Sequence, residues 1–291
     1  MSQQRAMPAA RIVDRGYQHY EGTRLGLTHS FWVMLWAALK RGLGLRRSFY
    51  TKIMPWGLIV VGYLPVAIIL GIVVITGQAM PSTFYVRLYS SLATLFILFT
   101  GLVAPDLICA DRRQRVTSLY FASPITRLHY IAAQVVSLIL LTLTITLIPF
   151  VLIFFGNALL SPAFSTYVSN NAGDLLHVAL TGALMAVFYS AIAMAVSSFT
   201  DKRAYATGGF LGLMLVSSVA GNVLASRELH FAGHENYILL SLGSMPVSVA
   251  RWLFGQPLEP ALSGWAYLGT ALGVIVVSLG LMVWRYQKVG D

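Results

Sequence analysis

Charge is what this sequence has least of. Only 10% of its 291 residues are Asp, Glu, Lys or Arg, against about 25% in an ordinary soluble domain. Acidic residues are the scarcer half, 10 against 20 Lys and Arg, so the chain carries a net charge of +10. There is one cysteine, Cys109, which excludes an intrachain disulfide and a cysteine-rich metal cluster and leaves a small apolar filler. No Gly-x-x-x-x-Gly-Lys-Ser/Thr run occurs, so the chain has no phosphate loop with which to hold ATP. Gly-x-Ser-x-Gly and His-Glu-x-x-His are missing too, which removes the common serine-hydrolase and zinc-protease signatures. No secretory signal is visible, since the first long apolar stretch begins near Pro55 and nine basic residues precede it.

What the chain does have is oil: 57% hydrophobic residues and a mean hydropathy of +0.73. Crossing the hydrocarbon core takes roughly 20 apolar residues in a helix that pairs its own backbone groups. Apolar runs bounded by charges and turn residues give six such spans, at about 55–77, 88–110, 130–156, 176–199, 205–225 and 264–284. The expected fold is therefore an all-α integral membrane protein. With both termini in the cytoplasm, 17 of the 20 Lys and Arg fall on that side, and only Arg87, Arg227 and Arg251 fall outside. Basic residues spread this way between spans set orientation; they do not make a nucleic-acid face.

A seventh apolar stretch, 237–254, "YILLSLGSMPVSVARWLF", is short, interrupted by Gly243 and Pro246, and carries Arg251. An arginine at mid-bilayer costs about 2.5–3.5 kcal/mol on insertion scales, so a re-entrant or interfacial segment is expected there. Ahead of the first span, residues 31–50 place Phe31, Leu35, Leu39 and Leu43 at i, i+4 spacing, with Trp32 and Trp36 beside them and Arg46 and Arg47 following. That pattern predicts an amphipathic helix in the headgroup plane, with rings and cations at the lipid surface. It would serve as an anchor or brace a cytoplasmic partner. Residues 1–30 read as a polar cytoplasmic tail.

The segment 111–130, "DRRQRVTSLYFASPITRLHY", gathers Arg112, Arg113, Arg115 and Arg127 around Leu119, Tyr120 and Phe121, and Ser123-Pro124 is suited to ending one helical segment and starting another. Three such apolar side chains are too oily for a plain turn in water. They suit either the headgroup layer or a groove on another protein. With its acidic residue after the second span, its Leu-rich patch, and a Ser-Pro pair and a basic residue before the third, the segment resembles the cytoplasmic loop of the ABC-2 type permeases, the membrane subunits of a class of ABC exporters. "SSFTDKRAYATGGF", 197–210, is similar to the tight cytoplasmic connection between spans four and five of that family. The likeness runs from about Phe31 to the end, making 31–291 one transmembrane domain. Many members have Glu at the position of Asp111, followed by Gly-Thr, where this chain has "RVTS".

The resemblance implies a permease subunit in a prokaryotic plasma membrane, working as a dimer with an identical or homologous permease and two separate ATPase subunits. The partner would hold the ATP and magnesium, and this chain would need no cofactor. Asp111, Arg112, Arg113, Leu119, Tyr120, Phe121, Pro124 and Arg127 would form the coupling element. An intramembrane enzyme and a membrane anchor or assembly factor are the competing classes. Elsewhere, Gly208 and Gly212, with Gly209 beside them and Gly221 later, form a small-residue pattern suited to close helix packing, within the chain in the first place and otherwise at a subunit interface, and Asn222 is a mild candidate for lining a route. Asp106 is placed to be hydrated near the inner headgroups or to meet one of the loop arginines. Thr142 and Thr146 suit bonds to their own helix. His230, His234 and Glu235 lack the order and the further ligand of a zinc site, so they read as a polar outer loop.

Overall fold

The computed structural model describes residues 26–45, 49–77, 80–113, 126–161, 163–226, 234–258 and 262–288. Among them there are helices and turns and no strand. In chain order the helices are α1 (Leu27–Gly42), α2 (Phe49–Thr76), α3 (Thr83–Arg113), α4 (Arg127–Thr146), α5 (Ile148–Leu160), α6 (Phe164–Asn170), α7 (Ala172–Ser198), α8 (Arg203–Leu224), α9 (Met245–Leu253) and α10 (Gly264–Lys288), with a 3-10 segment at His234–Leu240. Six helical stretches are long and apolar enough to cross a membrane: α2, α3, α4 with α5, α7, α8 and α10.

The helices overrun the apolar stretches that predict them. α3 has 31 residues, about 46 Å at 1.5 Å per residue, against a hydrocarbon core of about 30 Å. The helix is thus about ten residues longer than a crossing requires. A second difference lies in the third span, which is two helices broken at Leu147. Pro149 explains the break, because proline lacks the N–H that a continuous helix needs there and fits the first turn of a new one. Beside the break, the carbonyl of Thr146 accepts from the Tyr89 hydroxyl at 3.2 Å, and the Thr146 hydroxyl lies within donating distance of the carbonyls of Thr142 and Gly182, at 3.2 and 3.0 Å. Thr142 itself lies 3.3 Å from the Ser190 hydroxyl on α7.

α7 is the centre of the bundle: 72% of its span is buried, against 22% for α2, 17% for α8 and 28% for α10. It packs against α3, α4, α8, α9 and α10. Small residues make this possible, since a Cβ on Gly182 would stand 2.8 Å from the carbonyl oxygen of Thr146. The core between α3, α4 and α7 holds Tyr89, Phe96, Phe99, Leu107, Leu138, Phe150, Met185 and Phe188, all fully buried, with Tyr89 stacked on Phe150 at 3.6 Å.

α1 begins four residues before the expected segment 31–50 and ends at Gly42; Leu35 is buried and Phe31, Leu39 and the following Leu43 are half-buried, while Trp32 and Trp36 are 65% and 58% exposed. The helix lies against α3 and α4 and stops at Gly44, whose φ of 68° suits glycine because no Cβ obstructs it. The stretch 237–254 comprises the end of the 3-10 segment and α9. With nine residues, or about 14 Å, α9 is too short to cross a bilayer.

Candidate functional site

At one end of the bundle the helices are tied together around the two ends of the segment 114–125, which itself lies outside the described residues. On the entering side, Asp111 is 3% exposed. One of its carboxylate oxygens pairs with the Arg41 guanidinium of α1 at 2.5 Å. The other accepts from the Tyr130 hydroxyl at 2.8 Å and the Gln134 amide at 3.4 Å, both on α4. Arg41 also donates to the Leu107 carbonyl at 3.3 Å. A buried carboxylate needs such company, because an uncompensated charge in a low-dielectric interior is costly. Three helices therefore converge on one residue. Nearby, the Ser137 hydroxyl reaches the Leu35 carbonyl at 3.3 Å, and Gly42 lets α1 lie close to Leu141 and Val103.

On the leaving side, Thr126 caps α4 by accepting from the His129 N–H. Arg127 donates to the carbonyls of Gln287 at 3.1 Å and Tyr286 at 3.5 Å. Those carbonyls belong to the last turn of α10, where a cation complements both the open acceptors and the helix dipole. The Tyr130 and Tyr286 rings lie 6.1 Å apart beside this contact.

One turn above Asp111, Asp106 pairs with Arg203 at 3.2 Å, at the start of α8. The partner seen here thus comes from the connection between spans four and five. Cys109, buried as expected, points its thiol at the carbonyl of Thr200 at 3.3 Å. The Thr207 hydroxyl donates to the Gly101 carbonyl at 3.0 Å. The C-terminal half of α3 is thereby fastened to α1, α4 and the α7–α8 turn.

With this geometry in view, the comparison with protein families is decisive: the family model described as ABC-2 family transporter protein matches residues 13–290. The chain belongs to the ABC-2 transporter family. No curated protein matches it. As a member of that family it is the multi-pass membrane component of an ABC transporter, and it is not itself a catalyst.

Of the residues singled out from the sequence, Asp111 and Arg127 stand at the two ends of the ABC-2 loop, each bonded to other helices. Arg112 and Arg113 close α3; their side chains, and all of Leu119, Tyr120, Phe121, Pro124, Arg46 and Arg47, lie outside the described residues, as does His230. Within the small-residue pattern of α8, the space beside Gly208 and Gly212 is open and neither brings two helices of this chain together. Gly221 does so instead: a Cβ there would meet the backbone N of Ser241 at 2.7 Å. Asn222 is exposed on α8 and donates to the Ser218 carbonyl. The sequence reading missed Arg41, Tyr130, Gln134 and Arg203. Tyr130 and Gln134 had a signal, being polar positions four apart on one face of an apolar span. Arg41 had none beyond its charge, since its partner is 70 residues away.

Proposed function

We propose that this chain is the permease subunit of an ATP-driven exporter, embedded in a prokaryotic plasma membrane with both termini inside. It pairs with a second permease, identical or homologous, and receives its energy from two ATPase subunits, which carry the ATP and magnesium. The coupling element is the segment 111–129, in which Leu119, Tyr120 and Phe121 dock on the motor, Arg112, Arg113 and Arg127 orient the contact, and Pro124 sets the bend. α1, lying in the headgroup layer with Trp32, Trp36, Arg46 and Arg47, braces it. α9 dips into the outer leaflet without crossing.

The observation that carries this reading is the double attachment of that segment. A push delivered between Asp111 and Arg127 reaches α1, α3, α4 and α10 together, because the two residues are bonded to all four. Closure of the motor dimer becomes rigid-body movement of the spans. The second permease draws support from α8, which is the least apolar of the six spans and the least buried, at 17%. A helix with that composition is better matched to a protein neighbour than to lipid, and the open glycines Gly208 and Gly212 allow a neighbouring backbone to approach.

The test is the double change Tyr120→Ala with Phe121→Ala in the transporter reconstituted with its motor. ATP hydrolysis is expected to continue while transport is lost. Normal transport by that variant refutes the assignment. An intramembrane enzyme would instead turn over its substrate as a lone chain, and an anchor would bind no ATPase.

A further inference from the structure

At the end of the bundle opposite Asp111, α3, α8 and α9 turn polar positions toward one groove. On α3 these are Arg87, Ser90, Ser91 and Thr94, spaced three, four and seven residues apart and all exposed. That spacing places them on a single helical face. α8 contributes Ser218 and Asn222, and α9 contributes Ser244, Ser248 and Arg251. Two adjoining hollows, of about 500 and 390 Å³, share Ser90 and Arg251, and Arg87 lines the larger. Among the described residues, neither hollow is lined by a carboxylate and neither arginine forms an ion pair. Further along, the smaller hollow turns apolar, at Ala93, Ile97, Ile238 and Val247.

Lipid tails are a poor environment for such a face, so it belongs against water, protein or a polar ligand. Some of the hydroxyls are already occupied: Ser91 bonds the Arg87 carbonyl, Ser248 the Ser244 carbonyl, and Asn222 the Ser218 carbonyl through its N–H. The guanidiniums remain as the strongest donors in the groove, and their forked N–H groups suit the oxygens of phosphate. The geometry points to this groove as a binding site for the phosphate group of an amphipathic molecule, held by Arg87 and Arg251 with its apolar part along Ala93, Ile97, Ile238 and Val247. This deepens the permease reading, on which it rests, by naming the chemical class such a chain would handle at its outer end.

The experiment uses the purified full chain in a neutral maltoside detergent, without any ATPase, so that a failure of motor coupling cannot be mistaken for a failure of this site. Binding of dioctanoyl phosphatidylglycerol, inorganic phosphate and dioctanoylglycerol is measured calorimetrically. Saturable binding of the phosphatidylglycerol is expected, weakened about tenfold by each of Arg87→Gln and Arg251→Gln, the size of one lost charged hydrogen bond. Arg87→Lys and Arg251→Lys should retain more of it, and they keep the test valid if a glutamine variant is misfolded. Competition by inorganic phosphate would show that the anion alone suffices; its absence would show that the apolar part is needed, and either result sustains a phosphate site. Phosphatidylglycerol affinity unchanged in both glutamine variants, or dioctanoylglycerol binding equally tightly, overturns the proposal.

Discussion

The pair formed by Arg41 and Asp111 can be weighed by a double-mutant cycle of Arg41→Gln, Asp111→Asn and the two together. Breaking a buried ion pair from one side costs about 3–5 kcal/mol, because the partner is left charged and unpaired. Here the Arg41 side chain is 24% exposed, so water screens part of that loss, and a cost of about 2–3 kcal/mol is expected for Asp111→Asn. Arg41→Gln should cost at least as much, since the Asp111 carboxylate would keep only Tyr130 and Gln134. The double variant removes both charges and leaves neutral groups of similar shape. Its loss should fall short of the sum by about 2 kcal/mol, well above the roughly 0.5 kcal/mol within which independent sites add. Reversible unfolding in mixed detergent micelles measures all three, and the fluorescence of Trp32 and Trp36 reports whether α1 has come away. Strict additivity would show that the contact is incidental and that α1 is held by packing alone.

Other expectations follow from the same contacts. Gly182→Ala should lower the unfolding temperature, because the new Cβ meets the Thr146 carbonyl oxygen at 2.8 Å and overpacking costs about 1–3 kcal/mol. Gly208→Ala, with open space beside it, should be neutral or stabilise the detergent-solubilised lone chain by up to about 1 kcal/mol through helix propensity. Equal losses at the two glycines would contradict the packing described. Arg127→Gln should speed amide exchange in the last turn of α10, whose carbonyls it caps, with a loss of about 0.5–1.5 kcal/mol; unchanged exchange would mean that Arg127 does not hold that helix. Asp106→Asn should loosen the α7–α8 turn from α3, read as faster labelling of Cys109, which is sheltered by the same turn.

The spans were legible because membrane thickness imposes a length on apolar runs, and the family was legible in the segment from Asp111 to Arg127. The broken third span was half legible: Pro149 stands in the sequence, but whether a proline bends a helix or ends it depends on what receives the freed carbonyls, and Tyr89 is 57 residues from Thr146. The partners of Asp111 and Asp106 were illegible for the same reason, since nothing local distinguishes Arg41 or Arg203 from the other basic residues of the inner side. The small-residue pattern of α8 was half legible, because it says that something can come close without saying whether it is the same chain: Gly221 meets Ser241, while the space beside Gly208 and Gly212 is open. The groove at the other end went unread until three helices brought Arg87 and Arg251 to one place.

The long separation between Arg41 and its carboxylate, 70 residues, also has a meaning in time. At a synthesis rate of about 5–20 residues per second, Arg41 leaves the ribosome several seconds before Asp111 is made. The first helix must wait over that interval without the partner of its Arg41. Arg127 waits longer, for a backbone acceptor 160 residues downstream. The clasp is thus completed only after the tenth helix has emerged, and until then a chaperone or protease inspecting this face would find the Arg127 contact open.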